Sequence, residues 1–430
     1  MKLRKSEHNL AVSFNRAEQM SILSRREKHL GNGQKYFYEK PLHIVKGEDV
    51  WLIDDRGKRF LDVYNNVAHV GHANPRVTEA ITKQSNALNT NTRYLHENVV
   101  RLAERLAATT EEGLDVAYFC CSGSEANDLA AQLAKAHTKH QGCIVLSNAY
   151  HGNTTEVFQL SPEDCPKEHR KDWVKTIPGP RSFLENQSAY IQRLKEEAEA
   201  LIDSGHGIAC FIADSIFSSD GIYEIPKDFL KSIYQEIRSH GGVVIADEVQ
   251  SGFGRLGEQM WGYQDDSVIP DILTMGKPMG NGHPVSALLT HREIIESLDQ
   301  TYNGNSYFNT FGGNPVSAAA ALSVLDIFEE DNLIEEAGQV GSYLKKQLKE
   351  TLKESESVVE IRGKGLFLGI ELDDVSKTAK AMEDMMHQGV LVGKTGPINS
   401  VIKLRPPMTF KKEHADLLVD KINQCLRMVS

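Results

Sequence analysis

The sequence predicts an α/β protein: a large domain with a mostly parallel central sheet covered by helices, plus a smaller α+β domain built from both chain ends. Two observations carry this expectation. From about residue 75 to 325, short and nearly all-apolar segments alternate with helix-patterned stretches: VAYFCC, CIVLSNAY, IACFIADS, GVVIADEV, DILTMG and VSALLT. Strands that are apolar on both faces belong to a parallel sheet buried between helices. Outside that block the segments alternate in polarity, HIVKGEDVWLID and RFLDVYN before it, VVEIRGKGLFLGIEL and VLVGKTGPINSVIKLRPPMTF after it.

Taken in order, the first two alternating segments flank DRGK, a polar turn with a glycine, and so form a hairpin in which Asp54 and Asp55 are turn residues. His69 and His72 in HVGHANP have no carboxylate or cysteine at metal-binding spacing and are read as loop residues. After VAYFCC and SGS, apolar residues fall at Ala126, Leu129, Ala130, Leu133 and Ala134, the repeat of an amphipathic helix. One long helical run is expected from about 314 to 352. The glycines of RGKGLFLG (Gly363, Gly365, Gly369) open no helix, so they do not make a dinucleotide loop. The expected division is 1–70 for the N-terminal segment and hairpin of the small domain, 71–325 for the large domain and 326–430 for the C-terminal part of the small domain.

Composition narrows the function. A formal charge of −11 over 430 residues lacks the basic face that nucleic acid requires. No apolar run approaches the length that crosses a bilayer, and the basic N-terminus has no apolar core of a secretory signal, so a cytoplasmic protein is expected. Six cysteines (Cys120, Cys121, Cys143, Cys165, Cys210, Cys425) show no CxxC spacing. They read as reduced core thiols, with neither a disulfide framework nor a metal site.

The chemistry gathers in three places. GVVIADEVQSGFGRLG ends a buried strand with Asp247 and Glu248, putting a carboxylate at the carboxyl edge of the sheet, where ligands bind in open α/β folds. DILTMG repeats the pattern and delivers Lys277 to the same edge, among glycines that let a ligand approach closely. A lysine in such an apolar site loses solvation, its neutral amine becomes a nucleophile, and it is suited to a Schiff base. Ser122, Gly123 and Ser124 sit at a helix N-terminus, where free N–H groups favour a phosphate. A phosphate cradle, a Schiff-base lysine and a strand-end aspartate together describe pyridoxal 5′-phosphate (PLP), with Asp247 keeping its pyridine nitrogen protonated. Tyr150, in NAYHG, is placed either on the ring face or in the core.

Over nearly its whole length the sequence resembles the class III aminotransferases of PLP fold type I, on the motifs SGSEAND, YHG, IADEVQSGFGRLG, TMGKPMGNG and TFGGNP. Within that family, DVYNNVAHVGHANP, LNTNTRYLH and MGKPMGNGHPV are most similar to ethanolamine-phosphate phospho-lyases and related amino-phosphonate lyases. The resemblance implies cofactor contacts from Gly123, Ser124, Tyr150, Asp247, Val249 and Lys277. It further implies that Thr310 reaches the cofactor phosphate of a neighbouring subunit, making a homodimer with shared active sites; pairing of dimers into tetramers stays open.

One departure shapes the expected activity. Ordinary members carry a Glu-Pro step and a Gln-Gly pair after the central strand, the glutamate working as a switch with a C-terminal arginine. Here the stretch is IADSIFSSDGI, with Asp214 and Ser215 in place of Glu-Pro, while Arg405 in KLRPPMTF remains. Loss of the switch shifts the expectation from amino transfer to a keto acid toward elimination from a small anionic amine, an amino-phosphate or amino-phosphonate. Lys277 and Asp247 are the expected catalytic pair, and Arg405, Asn66 and Arg93 the expected anion contacts.

Overall fold

The protein is described by a computed structural model that covers residues 21–429 apart from 32, 35, 305 and 306. Residues 21–43 hold one short helix, Ile22–His29. From Ile44 onward the chain is one compact unit.

That unit begins with β1 (Ile44–Glu48), β2 (Trp51–Asp54) and β3 (Arg59–Asp62), an antiparallel meander. The turn between β2 and β3 closes because Asp54 Oδ1 accepts the N–H groups of Arg56 at 3.0 Å and Lys58 at 2.8 Å, the side-chain turn expected of it.

The central sheet contains β4 (Val116–Cys120), β5 (Cys143–Leu146), β6 (Val174–Ile177), β7 (Cys210–Asp214), β8 (Val243–Asp247), β9 (Ile272–Met275) and β10 (Ser286–Thr290), in the order 4-10-9-8-7-5-6. Every pairing from β9 to β6 is parallel, and β10 runs antiparallel to both β4 and β9. Alternate residues feed opposite layers. Val145, Ile212 and Ile245 pack with Leu129, Leu133 and Leu298 on one face, while Ile144, Phe211 and Val244 pack with Leu194, Phe229 and Ile233 on the other. This double burial is why the strands read as unbroken apolar runs.

The remaining strands are β11 (Val358–Lys364), β12 (Phe367–Leu372), β13 (Val390–Leu391), β14 (Gly393–Thr395) and β15 (Val401–Leu404). Four of them form a sheet in the order 11-12-15-14, and β13 instead joins β3 in parallel, Val390 opposite Leu61. Gly363, Gly365 and Gly369 lie in and around the β11–β12 hairpin, as expected.

Three details differ from the sequence reading. The helical run breaks into Pro315–Glu330 and Leu333–Thr351, because Asn332 takes a left-handed conformation at φ 51°. Strand β6, sequence VKTI, has too mixed a pattern to stand out as a strand. His72 does meet a carboxylate, Asp62 Oδ2 at 2.6 Å, through the fold rather than through sequence spacing. His69 is a satisfied buried histidine, held by the Phe253 carbonyl and the Arg255 guanidinium, each at 2.7 Å. All six cysteines are free thiols, and Cys143 and Cys210 lie side by side on β5 and β7. Among the described residues no helix is long and apolar enough to cross a membrane, and no cluster of side chains suits a metal ion.

Candidate active site

The carboxyl edge of the central sheet brings the predicted chemistry together. Asp214 and Asp247 are register partners on β7 and β8, Asp247 faces Thr274 on β9, and Lys277 follows β9 immediately in a short 3-10 turn. A cavity of about 230 Å³ at this edge is lined by Gly123, Ser124, Tyr150, Asp247, Val249 and Lys277, all expected, and by Asn127, His151, Gly152, Asp214 and Gln250.

Asp247 is held rigidly. Its Oδ2 accepts Asn127 Nδ2 at 2.8 Å and His151 Nδ1 at 2.7 Å, while Oδ1 accepts the Val249 N–H at 3.1 Å. Asn127 is itself fixed, donating to the His151 carbonyl at 2.7 Å and accepting the Thr274 hydroxyl at 2.6 Å. A carboxylate oxygen can accept two hydrogen bonds, so Oδ1 keeps a free lone pair for a donor in the cavity. Neighbouring Glu248 turns the other way and is consumed by Ser215, Ser251 and the N–H groups of Gly262 and Tyr263. It braces the loop and takes no part in the cavity.

Burial pulls the Lys277 amine down to about 8, with Arg405 adding to the fall and Asp247 and Asp214 opposing it. About a tenth of the amine is therefore neutral at pH 7, far more than for an ordinary lysine, as a nucleophile or base requires.

At the start of the helix Gly123–Thr138, Ser122 and Glu125 form a capping box: Ser122 Oγ accepts the Glu125 N–H, and Glu125 Oε2 accepts the N–H groups of Ser122 and Cys121. Ser122, expected beside the phosphate, thus commits its hydroxyl to the cap. Gly123 and Ser124 are left with N–H groups at the positive end of the helix dipole, facing the cavity. A side chain at Gly123 would place its Cβ 2.7 Å from Val249 Cγ1, so only glycine fits this wall. Tyr150 lines the same space, and burial together with Asp164, Glu163 and Asp247 keeps its hydroxyl protonated.

These residues fit PLP. Gly123 and Ser124 would hold its phosphate, Asp247 its ring nitrogen and Lys277 its aldehyde carbon.

Beside the cavity lies a cationic wall that the sequence reading found only in part. Arg405 follows β15, and its N–H donates to the Val63 carbonyl at 2.7 Å, tying it to the end of β3. Its guanidinium donates to Gln250 Oε1 and lies 4.9 Å from the Tyr64 ring centroid and 5.5 Å from that of Phe367. Two residues earlier, Lys403 shares the same strand face by alternation. Both side chains are buried, at 8 % exposure for Lys403 and 5 % for Arg405. Burial and the Arg405 charge pull Lys403 down to about 7, and burial lowers Arg405 as well. Among the described residues neither makes a salt bridge with a carboxylate. Asp214 is turned back on its own loop, Oδ2 accepting the Ser218 N–H at 2.9 Å, and burial with Asp247 beside it pushes its carboxyl up.

The other expected contacts are placed differently. Asn66 is buried on the turn after β3, and its Nδ2 has no hydrogen-bond partner. That turn is fixed by Asp62 Oδ1, which accepts the N–H groups of Tyr64 at 3.0 Å and Asn65 at 2.9 Å. Arg93 is not among the cavity-lining residues: it is exposed, its guanidinium 4.3 Å from the Phe308 ring centroid. Thr310 lies on an exposed loop. His151, Asn127, Gln250 and Lys403 were not singled out from sequence. Of these, Lys403 alone carried a readable signal, the i, i+2 alternation with Arg405 in VIKLR.

A fold of helices on both sides of this sheet, with a desolvated lysine opposite a clamped aspartate and a helix N-terminus, defines a PLP-binding enzyme site. Comparison with known proteins agrees. The profile of the family described as Aminotransferase class-III matches residues 35–426, and the chain belongs to this family of PLP-dependent enzymes. It is 40% identical over 440 residues to "Alanine--glyoxylate aminotransferase 2-like" of Drosophila melanogaster, covering 96% of this chain and 89% of that one. It is 36% identical over 441 residues to "Ethanolamine-phosphate phospho-lyase homolog 1" of Caenorhabditis elegans, covering 95% and 94%. Among solved structures, a phospholyase from Arthrobacter in complex with phosphoethanolamine superposes with a TM-score of 0.90 at 39% identity, covering 94% of this chain and 99% of that one.

Proposed function

We propose that this enzyme is a PLP-dependent lyase acting on a small amino-phosphate or amino-phosphonate, of the ethanolamine phosphate or 1-hydroxy-2-aminoethylphosphonate type, and releasing an aldehyde and ammonia. The observation that carries this reading is the cationic wall. Lys403 and Arg405 are two buried basic side chains without a carboxylate ion pair among the described residues; Arg405 is close enough to lower the Lys277 amine, and Lys277 close enough to lower that of Lys403. Buried charges need a partner, and a phosphorus dianion would supply one for both.

The cofactor, when bound, supplies an electron sink for a carbanion. Lys277 Nζ, freed when the substrate's amine takes its place, would remove a proton from the carbon bearing nitrogen. The bond from the neighbouring carbon to its leaving group breaks, and the pair departs with phosphate from ethanolamine phosphate or with hydroxide from the hydroxylated phosphonate. Arg405 and Lys403 hold the dianion, neutralising charge as phosphate leaves or retaining the phosphonate. Water converts the resulting enamine to the aldehyde and ammonia. Elimination uses one amine and needs no second, keto substrate, which suits a site whose Asp214 is bound to its own turn rather than to Arg405.

The Drosophila relative's name favours a second reading, a class III ω-aminotransferase passing its amino group to a keto acid. The two are separated by incubating the holoenzyme with either phosphorus amine and no keto acid. Many equivalents of aldehyde per site support the lyase, whereas one equivalent with the cofactor left as its amine supports the transferase.

The unit acting in solution is proposed to be a homodimer. Tyr94, Leu95, Phe308 and Phe311 expose large apolar side chains, Leu95 completely, on two loops joined by the Arg93–Phe308 stacking. Exposed apolar side chains gathered on loops in this way suit a protein partner, and Thr310 belongs to the same exposed loop as Phe308 and Phe311.

A further inference from the structure

The Arg405 guanidinium donates to Gln250 Oε1, and Gln250 Nε2 donates to Ser218 Oγ at 3.1 Å. Ser218 in turn donates its backbone N–H to Asp214 Oδ2 at 2.9 Å. Arginine has only donors, so the direction of this chain is fixed: Arg405 gives to the amide oxygen, the amide NH₂ gives to the serine oxygen, and the serine backbone N–H gives to the carboxylate. Ser218 is held independently, its carbonyl accepting the Thr395 hydroxyl at 2.6 Å.

From this geometry we infer that Gln250 is a positioning residue that sets the specificity of the site for dianions, by tethering Arg405 through a neutral amide. The inference rests on the lyase reading and deepens it. A carboxylate at this place would pair with Arg405 directly, cancel its charge and compete with an incoming phosphate. The amide fixes the guanidinium beside the cavity that Gln250 also lines, without itself bringing a negative charge to it. Asp214, an acid too short to reach, is joined to Arg405 only across two neutral groups. Ground-state occupation of Arg405 is then a hydrogen bond that a dianion can outbid, since bonds between charged groups are roughly twice as strong as neutral ones.

The test uses holoenzyme, wild type and Q250E, with methylphosphonate as an amine-free dianion competing against ethanolamine phosphate. The tether predicts that in Q250E the inhibition constant for methylphosphonate and the KM for ethanolamine phosphate both rise at least about tenfold, with the cofactor absorbance band retained. Q250M, which removes the amide without adding charge, should raise both by a smaller factor, and it stands in if Q250E takes up no cofactor. Wild-type constants in a variant that binds cofactor overturn the tether alone. A wild-type enzyme that neither turns over ethanolamine phosphate nor binds methylphosphonate overturns the lyase reading and the tether with it.

Discussion

His151 Nδ1 lies 2.7 Å from Asp247 Oδ2, on a histidine whose Nε2 is buried without a partner. An acceptor-only carboxylate on one side makes Nδ1 the donor, so the imidazole adds a fixed hydrogen bond to Asp247. Together with Asn127 and Thr274, this makes the acid a fixed electrostatic element in place before any ligand arrives.

That element is sensitive to its supports. Asn127→Leu strips one donor from Asp247, leaves the His151 carbonyl without its donor and leaves the Thr274 hydroxyl only a long bond of 3.5 Å to the Ala246 carbonyl, a loss of about 1–3 kcal/mol in stability. The PLP dissociation constant should rise about tenfold, read by equilibrium dialysis and by the thermal midpoint of the apo protein. Asp247→Ala goes further and lowers kcat/KM by at least about a hundredfold.

Lys277→Ala should abolish covalent cofactor attachment. Borohydride reduction of the loaded wild type adds one cofactor mass to the peptide containing residue 277, whereas the variant gains none. Persistence of the label would place the Schiff base on another lysine, with Lys403 the nearest rival.

The buried lysine on β15 predicts a pH effect of definite sign. In the folded apo protein Lys403 is pulled from 10.5 to about 7, so the unfolded chain binds more protons between those values. Stability therefore rises with pH across that window as the charge is shed. Lys403→Met should stabilise the apo protein at pH 6.5 by an amount on the order of a few kcal/mol, and the gain should disappear by about pH 10.5, measured by urea denaturation at each pH.

Asp220 behaves in the opposite sense. Burial, with Asp214 and Glu163 nearby, raises it from 3.8 to about 8. The folded protein then binds the extra proton, and stability falls as pH rises from about 4 to 8. Asp220→Asn should change little at pH 4 and stabilise at pH 9; equal effects at both ends would mean that the carboxyl ionises freely.

Gly123→Ala tests the phosphate cradle. The added methyl meets Val249 at 2.7 Å in the wall facing the ligand, so PLP affinity should fall at least about tenfold while the helix, its cap formed by Ser122 and Glu125, remains intact by circular dichroism.

Much of this site was legible because its parts sit at ends of unmistakable elements. Asp247, Lys277 and Gly123 each follow or open an apolar run, and the edge of a parallel sheet assembles them automatically. Ser122 was legible too, though in another sense: a serine three residues before Glu125 is a capping box, which commits the hydroxyl the sequence seemed to offer a phosphate. What sequence spacing could not reveal were partnerships across the fold, such as Gln250 with Arg405 over 155 positions or Asn127 with Asp247 over 120. The helix break at Asn332 was hidden because asparagine is tolerated in a helix and only its backbone angle ends one.

The parallel pairing of β13 with β3 has a bearing on biosynthesis. Leu61 emerges from the ribosome long before Val390, its register partner, and Val63 waits longer still for the N–H of Arg405. Until then the outer edge of β3 presents unpaired backbone groups to the nascent chain and its surroundings. Completion of the anion wall is thus among the last events of synthesis, and a transcript truncated near its 3′ end would yield a chain with a formed cofactor cradle and an open, adhesive edge.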